Sequence, residues 1–334
     1  MSKRLLQFGR PGCVWLCSAV ILGATHGQEN AIYDHHVHVL SSRLIEDWKS
    51  TGMTFSRPEQ AYNDSTRILD EGVVGAFLVS MAHMYTAEDF RAIGKTPEIE
   101  RRLVAAENDF IAVSVAREPS QFIGFYSVNP LRDYAFDELK RCKANPNLTG
   151  MKLHLPACGV SLENPEHVEK LEKVLNWAAE NDVPVLLHLT AGEEIDLEKA
   201  NWIWRTIIQP HEKLHLYLAH LGSVGGFNSS SGNLLRAYSL LAEESVKFRQ
   251  MKTDFDLSGA IMEADSEEGR PTTDEQCLEL SELIARVGVE RFLFASDYPV
   301  FSVSRTRASL ASRLKLTPED SAKLLSNKSP LFQH

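Results

Sequence analysis

The sequence is poor in cysteine, with five in 334 residues, and two of these, Cys13 and Cys17, fall within the first 27 positions. The remaining Cys142, Cys158 and Cys277 are odd in number and lack metal-type spacing, which excludes a disulfide framework and a cysteine-built zinc site. Cys142 and Cys158 flank a predicted strand that would hold their Cα atoms beyond the ~7 Å reach of a bridge. There is no apolar run of the ~20 residues a membrane span requires. There is no excess of positive charge either: 35 Lys and Arg face 45 Asp and Glu, a net charge of −10. A nucleic-acid partner is therefore not expected, nor docking on anionic lipid. The Gly-x-Ser-x-Gly elbow, the phosphate-binding glycine loop and internal repeats are all missing.

The N-terminus has a distinct layout. Lys3, Arg4 and Arg10 precede the apolar stretch Cys13–Ala24, and Thr25 and Gly27 place small residues ahead of Gln28. This is the pattern of a secretory signal peptide over residues 1–27, so the mature chain, 28–334, is expected to be exported to the periplasm or secreted. No stable membrane insertion is expected once the leader is removed. The leader carries three cations and no acid, so its loss takes the net charge to −13.

Eight strand-like runs follow: 31–39, 73–80, 122–129, 150–155, 183–189, 214–220, 251–257 and 291–297. Helical periods separate them. Asn164-Pro165 opens one helix, with Val168, Leu171, Val174, Leu175 and Ala178 on one face. Thr273 and Gln276 form a capping-box spacing at the start of another. Eight β-then-α units in about 300 residues predict an α/β fold, a (β/α)8 TIM barrel in a single domain, with an open doubly wound sheet as the alternative. In that fold chemistry sits at the C-terminal ends of the strands. His38, His188, His220 and Asp297 fall near the ends of strands one, five, six and eight. The connections at 40–64, 81–97 and 221–233 are placed over the mouth.

Simple alternation puts Asp34, His36 and His38 of "DHHVH" on one face and His35 on the other. His36 and His38 can then reach one ion. His188 and His220 each interrupt an apolar run, and Asp297 ends one, where a carboxylate is costly unless paired, capping or metal-bound. "HEKLH" at 211–215 matches a zinc-protease pattern, but Leu214, Leu216 and Leu218 alternate as in a strand, and the pattern needs a helix.

With these residues in place, the chain resembles the amidohydrolase superfamily. The branch is the amidohydrolase-related group that includes aminocarboxymuconate-semialdehyde decarboxylase and pyrone-dicarboxylate lactonase. The resemblance rests on "DHHVH", "FYSVNP", "GMKLH", "VPVLLHLTAG", "LHLYLAHLG" and "FLFASDYP", in that order. It implies a metal-dependent hydrolase with His36, His38, His188 and Asp297 as ligands of one divalent ion. Zn²⁺ suits three imidazoles and a carboxylate, with Mn²⁺ the alternative. Asp297 would act as base toward a metal-activated water and His220 would bond the developing oxyanion, cleaving a C–N or C–O bond of a small amide, lactone or ester. Both hydrolysis and decarboxylation of an aromatic or unsaturated carboxylic acid occur in this branch, so the second reaction is the alternative. A barrel that binds a ligand without turnover is a third reading. His154 and Lys152 share a face and are the candidate substrate contacts. Lys152 lies on the strand that supplies a carboxylated lysine in binuclear members, a role not carried over here. Barrels of this type often pair, so a homodimer is expected.

Overall fold

Parallel strands alternating with helices give a barrel. The computed structural model describes residues 31–94, 96–190, 192–262 and 271–332; the leader predicted over 1–27 lies outside them. The strands are β1 (Ile32–His38), β2 (Val73–Val79), β3 (Phe122–Ser127), β4 (Leu148–His154), β5 (Val185–His188), β6 (His215–Leu218), β7 (Lys252–Leu257) and β8 (Phe292–Phe294). They pair in sequence order, each parallel to the next. The ring closes just past β8: Val37 bridges Tyr298, the His38 N–H donates to the Tyr298 carbonyl at 2.7 Å, and the Asp297 N–H donates to the His36 carbonyl at 3.0 Å. This is the expected (β/α)8 barrel. The expected caps are present too. Asn164 accepts from the Glu166 N–H, and Thr273 and Gln276 exchange both bonds of a capping box. Cys142, Cys158 and Cys277 are free and buried.

Two apolar layers hold the barrel. The outer one joins strands to helices, with Leu171, Val174, Leu175 and Ala178 buried as the helical period requires. The inner one fills the lumen with Phe77, Phe125, Leu186, Tyr217 and Leu293, drawn from five strands. Its floor is the C-terminal turn Pro330–Phe332: the Phe332 ring stacks on Phe77 at 5.2 Å, and Tyr217 Oη and Ser329 Oγ lie 2.5 Å apart.

Simple alternation fails in β1. Asp34 pairs with Ala76 and Val37 with Leu78, so three steps on β1 face two on β2. The extra residue is a bulge, which turns consecutive side chains to one side. His35 therefore points inward rather than away, its ring edge-on to Phe77 at 5.0 Å, its Nδ1–H donating to the Phe294 carbonyl at 2.8 Å. Asp34 is turned out of the lumen instead of sharing the face of His36, and accepts from the Ser296 N–H (2.9 Å) and Oγ–H (2.5 Å). His36 and His38 remain together, ring centroids 4.8 Å apart.

The helix Ser42–Ser50, which reaches over the mouth, is anchored by a buried acid. Ser41 caps it by accepting from the Leu44 N–H, while its own N–H and Oγ–H donate to Glu107 at 3.0 and 2.5 Å. Burial pushes Glu107 up to about 7, only partly offset by these bonds. A carboxyl that is a weaker acid folded than unfolded stabilises the fold at low pH, and that contribution fades as pH rises from its unfolded value toward 7. Denaturant titrations of wild type and Glu107→Gln should therefore diverge by about 3 kcal/mol between pH 4.5 and 7.5, the wild type losing more. Parallel curves would show that Glu107 does not titrate there.

Candidate metal centre

Each group at the mouth is carried by a strand end. β1 presents His36 and His38. His220 lies two residues past β6 and Asp297 three past β8, and both adopt left-handed backbone, with φ of +51° and +62°. Such angles are uncommon for residues other than glycine and concentrate at functional sites.

His36 is the hub. Its Nδ1 lies 2.5 Å from Asp256 Oδ2, so the Nδ1–H donates to that carboxylate and the lone pair is left on Nε2. Asp297 Oδ1 stands 3.1 Å from His38 Nε2 and 3.9 Å from His36 Nε2. Oδ1 is buried, yet it receives no hydrogen bond of good geometry even from His38. Two imidazole nitrogens and an orphaned carboxylate oxygen within 4.8 Å of one another are a donor set that fits a divalent cation. His36, His220 and Asp256 form an overlapping group.

The electrostatics match. Burial alone would raise Asp297, but His220, His38 and Lys152 outweigh it and hold the carboxyl at about 2. Burial pushes His220 down to about 4 and His36 well below its usual range, the latter helped by the Lys152 charge. Burial, then the Asp297 charge, pushes Asp256 well above the usual carboxylate range. A cation added here would reverse the penalties on Asp256 and Asp297.

The other sequence-predicted residues fall around this centre. Lys152 is buried with Nζ 3.2 Å from His36 Nε2; burial lowers it to about 8, against the pull of Asp256 and Asp297. His188 belongs to neither three-residue group. Its Nε2 lies 3.1 Å from the Thr190 carbonyl, so that nitrogen carries the proton and only Nδ1 offers a lone pair. Its ring stacks on His154 at 3.9 Å. His220 stacks on His36 at 4.7 Å, with Nδ1 2.7 Å from Ser258 Oγ. In "HEKLH", His215 opens β6 and His211 Nδ1 bonds Asn176, so the pattern is no helix site.

Asp256 went unassigned at the sequence level, although two acids on one face of the buried strand Lys252–Leu257 were a usable signal. Orienting carboxylates of this kind govern the affinity of the ligand they hold. Asp256→Asn should weaken Mn²⁺ or Zn²⁺ binding roughly 10- to 100-fold in chelator competition; unchanged affinity would mean that Asp256 does not orient a ligand.

A cavity of about 500 Å³ opens onto His38 and Asp297. Its walls are Leu40, Trp48, Phe55, Tyr62 and Met81, from the two connections expected over the mouth.

The chain belongs to the amidohydrolase family, whose sequence model matches residues 33–327. Solved structures share the fold. The 5-carboxyvanillate decarboxylase of Sphingomonas paucimobilis is 14% identical over 89% of this chain and 96% of its own, with a TM-score of 0.61. The enzyme of that name from Novosphingobium aromaticivorans, with bound manganese, is 15% identical over 92% and 98%, TM-score 0.62. A 2,6-dihydroxybenzoate decarboxylase bound to 2,6-dihydroxybenzoate is 14% identical over 91% and 100%, TM-score 0.57. No curated protein matches the chain. Family and donor set together support an enzyme using a divalent metal.

Proposed function

We propose that the chain is a metal-dependent decarboxylase of an aromatic carboxylic acid. The observation that carries this reading is the aromatic and aliphatic wall of Trp48, Phe55, Tyr62, Leu40 and Met81, which ends on His38 and Asp297. That wall suits a flat ring whose carboxylate points at the cation site. The structural neighbours named as decarboxylases of aromatic acids support it.

The proposed ligands are His36 and His38 through Nε2 and Asp297 through Oδ1; His188 would join only through Nδ1. Two nitrogens and an oxygen suit Zn²⁺ or Mn²⁺. A divalent ion supplies Lewis acidity toward a substrate oxygen. In the reaction the bond between ring carbon and carboxylate breaks, CO2 leaves, and the electron pair left on carbon takes a proton. Asp297, at the end of the cavity, and His220, stacked behind His36, are placed to carry that proton. Asp256 holds His36 in the tautomer that exposes Nε2.

Hydrolysis is the second reading, favoured by the place of the Asp297 carboxylate beside the proposed cation site, where it can accept a proton from water. One experiment separates the two. Protein loaded with Mn²⁺ or Zn²⁺ is offered aromatic and unsaturated acids beside lactones, esters and amides. CO2 release that stops on chelation is expected; turnover of lactones or amides with no CO2 from any acid would replace the decarboxylase by a hydrolase. Residues 1–27 are proposed to direct export, and the mature N-terminus should read Gln28 on sequencing.

A further inference from the structure

The seam where β8 meets β1 is built differently from the others. The pairs from β1–β2 to β7–β8 are backbone ladders. Between β8 and β1, among the described residues, the backbone bonds all involve His36 or positions after it: the Asp297 N–H to the His36 carbonyl, and the His38 N–H to the Tyr298 carbonyl. Before His36, side chains take over. The Ser296 N–H donates to Asp34 Oδ1 at 2.9 Å, and the Phe294 carbonyl accepts from His35 Nδ1–H at 2.8 Å. The bulge in β1 accounts for this. Its extra residue breaks the regular pairing, and buried backbone groups without a ladder partner must find another.

His35 is also held from the base of the barrel. The Ser329 N–H donates to its Nε2 at 3.0 Å. One ring nitrogen donates and the other accepts, so the imidazole is neutral with its proton on Nδ1. The ring stands edge-on to Phe77 at 5.0 Å and to Phe332 at 5.6 Å. The segment that supplies Ser329 is fastened in turn. Asn327 Nδ2–H donates to the Val289 and Phe292 carbonyls at 2.8 and 3.0 Å, and the Lys328 ammonium lies 5.3 Å from the centre of the Tyr33 ring.

The proposed ligands straddle this seam. His36 and His38 stand on β1, and Asp297 follows β8. The gaps from Asp297 Oδ1 to His38 Nε2 and His36 Nε2, 3.1 and 3.9 Å, are therefore set by how the two strands meet. An apolar residue at position 35 would bring no ring nitrogens to desolvate. It would, however, deprive two buried residues, Phe294 and Ser329, of these backbone partners.

We propose that His35, anchored by the Ser329 N–H of the C-terminal segment, is a positioning residue for the cation. It locks the β1–β8 seam and with it the spacing of His36 and His38 from Asp297. The C-terminal segment thus acts on the metal centre from the opposite end of the barrel. The inference rests on the ligand set proposed above.

Chelator competition with Mn²⁺ and Zn²⁺ tests it, together with the electron paramagnetic resonance spectrum of bound Mn²⁺. His35→Leu should bind either ion about 10-fold more weakly, with an altered Mn²⁺ spectrum. His35→Asn, whose amide N–H takes the place of Nδ1–H, should recover most of the affinity and the wild-type spectrum. His35→Gln, whose amide reaches toward Ser329 instead, should not. Ser329→Pro, which lacks the N–H, should weaken binding several-fold, and Ser329→Ala, which keeps it, should not. Leu171→Ala, in the outer layer on the helix between β4 and β5, should lower the melting temperature and leave affinity and spectrum unchanged. Wild-type affinity in His35→Leu overturns the inference, as does an equal loss in Leu171→Ala. Equal affinities in His35→Asn and His35→Gln also overturn it, and this comparison decides the matter where His35→Leu does not fold. Wild-type affinity in Ser329→Pro overturns the part assigned to the C-terminal segment. Wild-type protein that binds neither ion overturns the ligand set and the inference together.

Discussion

Asp297→Asn is expected to hold less than about a tenth of the wild-type metal and to lose about a thousandfold or more in kcat/KM, while folding normally. The amide keeps the shape and offers an oxygen. It lacks the charge that draws a cation between His36 and His38. The backbone should tolerate the change, because the left-handed conformation at φ +62° is one that asparagine adopts readily. The Asp297 N–H would still reach the His36 carbonyl that helps close the barrel. Thermal stability of the metal-free protein should fall somewhat, since the neighbours that hold the carboxyl at about 2 lose the charge they stabilise. Elemental analysis, steady-state rates and a melting curve on one preparation check all three. A variant with full metal content would show that the cation is held elsewhere, and the proposed centre would fall with it.

Gly124→Ala is expected to cost about 3 kcal/mol or more, from overpacking against a neighbour that has little room to give. Gly124 lies in β3 where the pairing with β4 shifts register: Gly124 faces Leu148, and Phe125 faces Gly150. A Cβ here would overlap the Asn147 backbone carbonyl and press on Val115 and Leu148. The Leu148 backbone is fixed by its ladder, and the Val115 side chain closes the helix Pro97–Val115 against the sheet. In a barrel of this size the midpoint of thermal unfolding should drop by roughly 6 °C or more. The same helix carries Glu107, so weaker docking should also loosen the cap at Ser41 and reduce activity. A midpoint within about a degree of wild type would show that the β3–β4 junction can relax.

The fold was legible because its signals are local and repeat. Each strand shows as a short apolar run, each helix as a 3.6-residue period with a cap, and eight repetitions fit a closed barrel ahead of an open doubly wound sheet. Part of the site was legible by the same logic, since polar residues at apolar strand ends stand out. What escaped depended on geometry at longer range. The bulge in β1 has no marker in "DHHVH", and a single inserted step reversed the faces expected for Asp34 and His35. The resemblance set His188 beside His36 and His38 as a ligand; which of its nitrogens is on offer depends on the turn after β5, where the Thr190 carbonyl takes Nε2–H and leaves Nδ1. Asp256 was visible as an acid in a buried strand, but its role appears only once closure of the ring brings β7 within one strand of β1.

The turn Pro330–Phe332 that seals the base of the barrel packs on strands far from it in the chain, with the Phe332 ring against Phe77 and Ser329 Oγ against Tyr217 Oη. Without it the rings of Phe77 and Tyr217 have no lower neighbour, and the inner layer stays open to water. Completion of the hydrophobic interior is thereby tied to the docking of one short segment, and loss of a single aromatic ring there would admit water to the lumen.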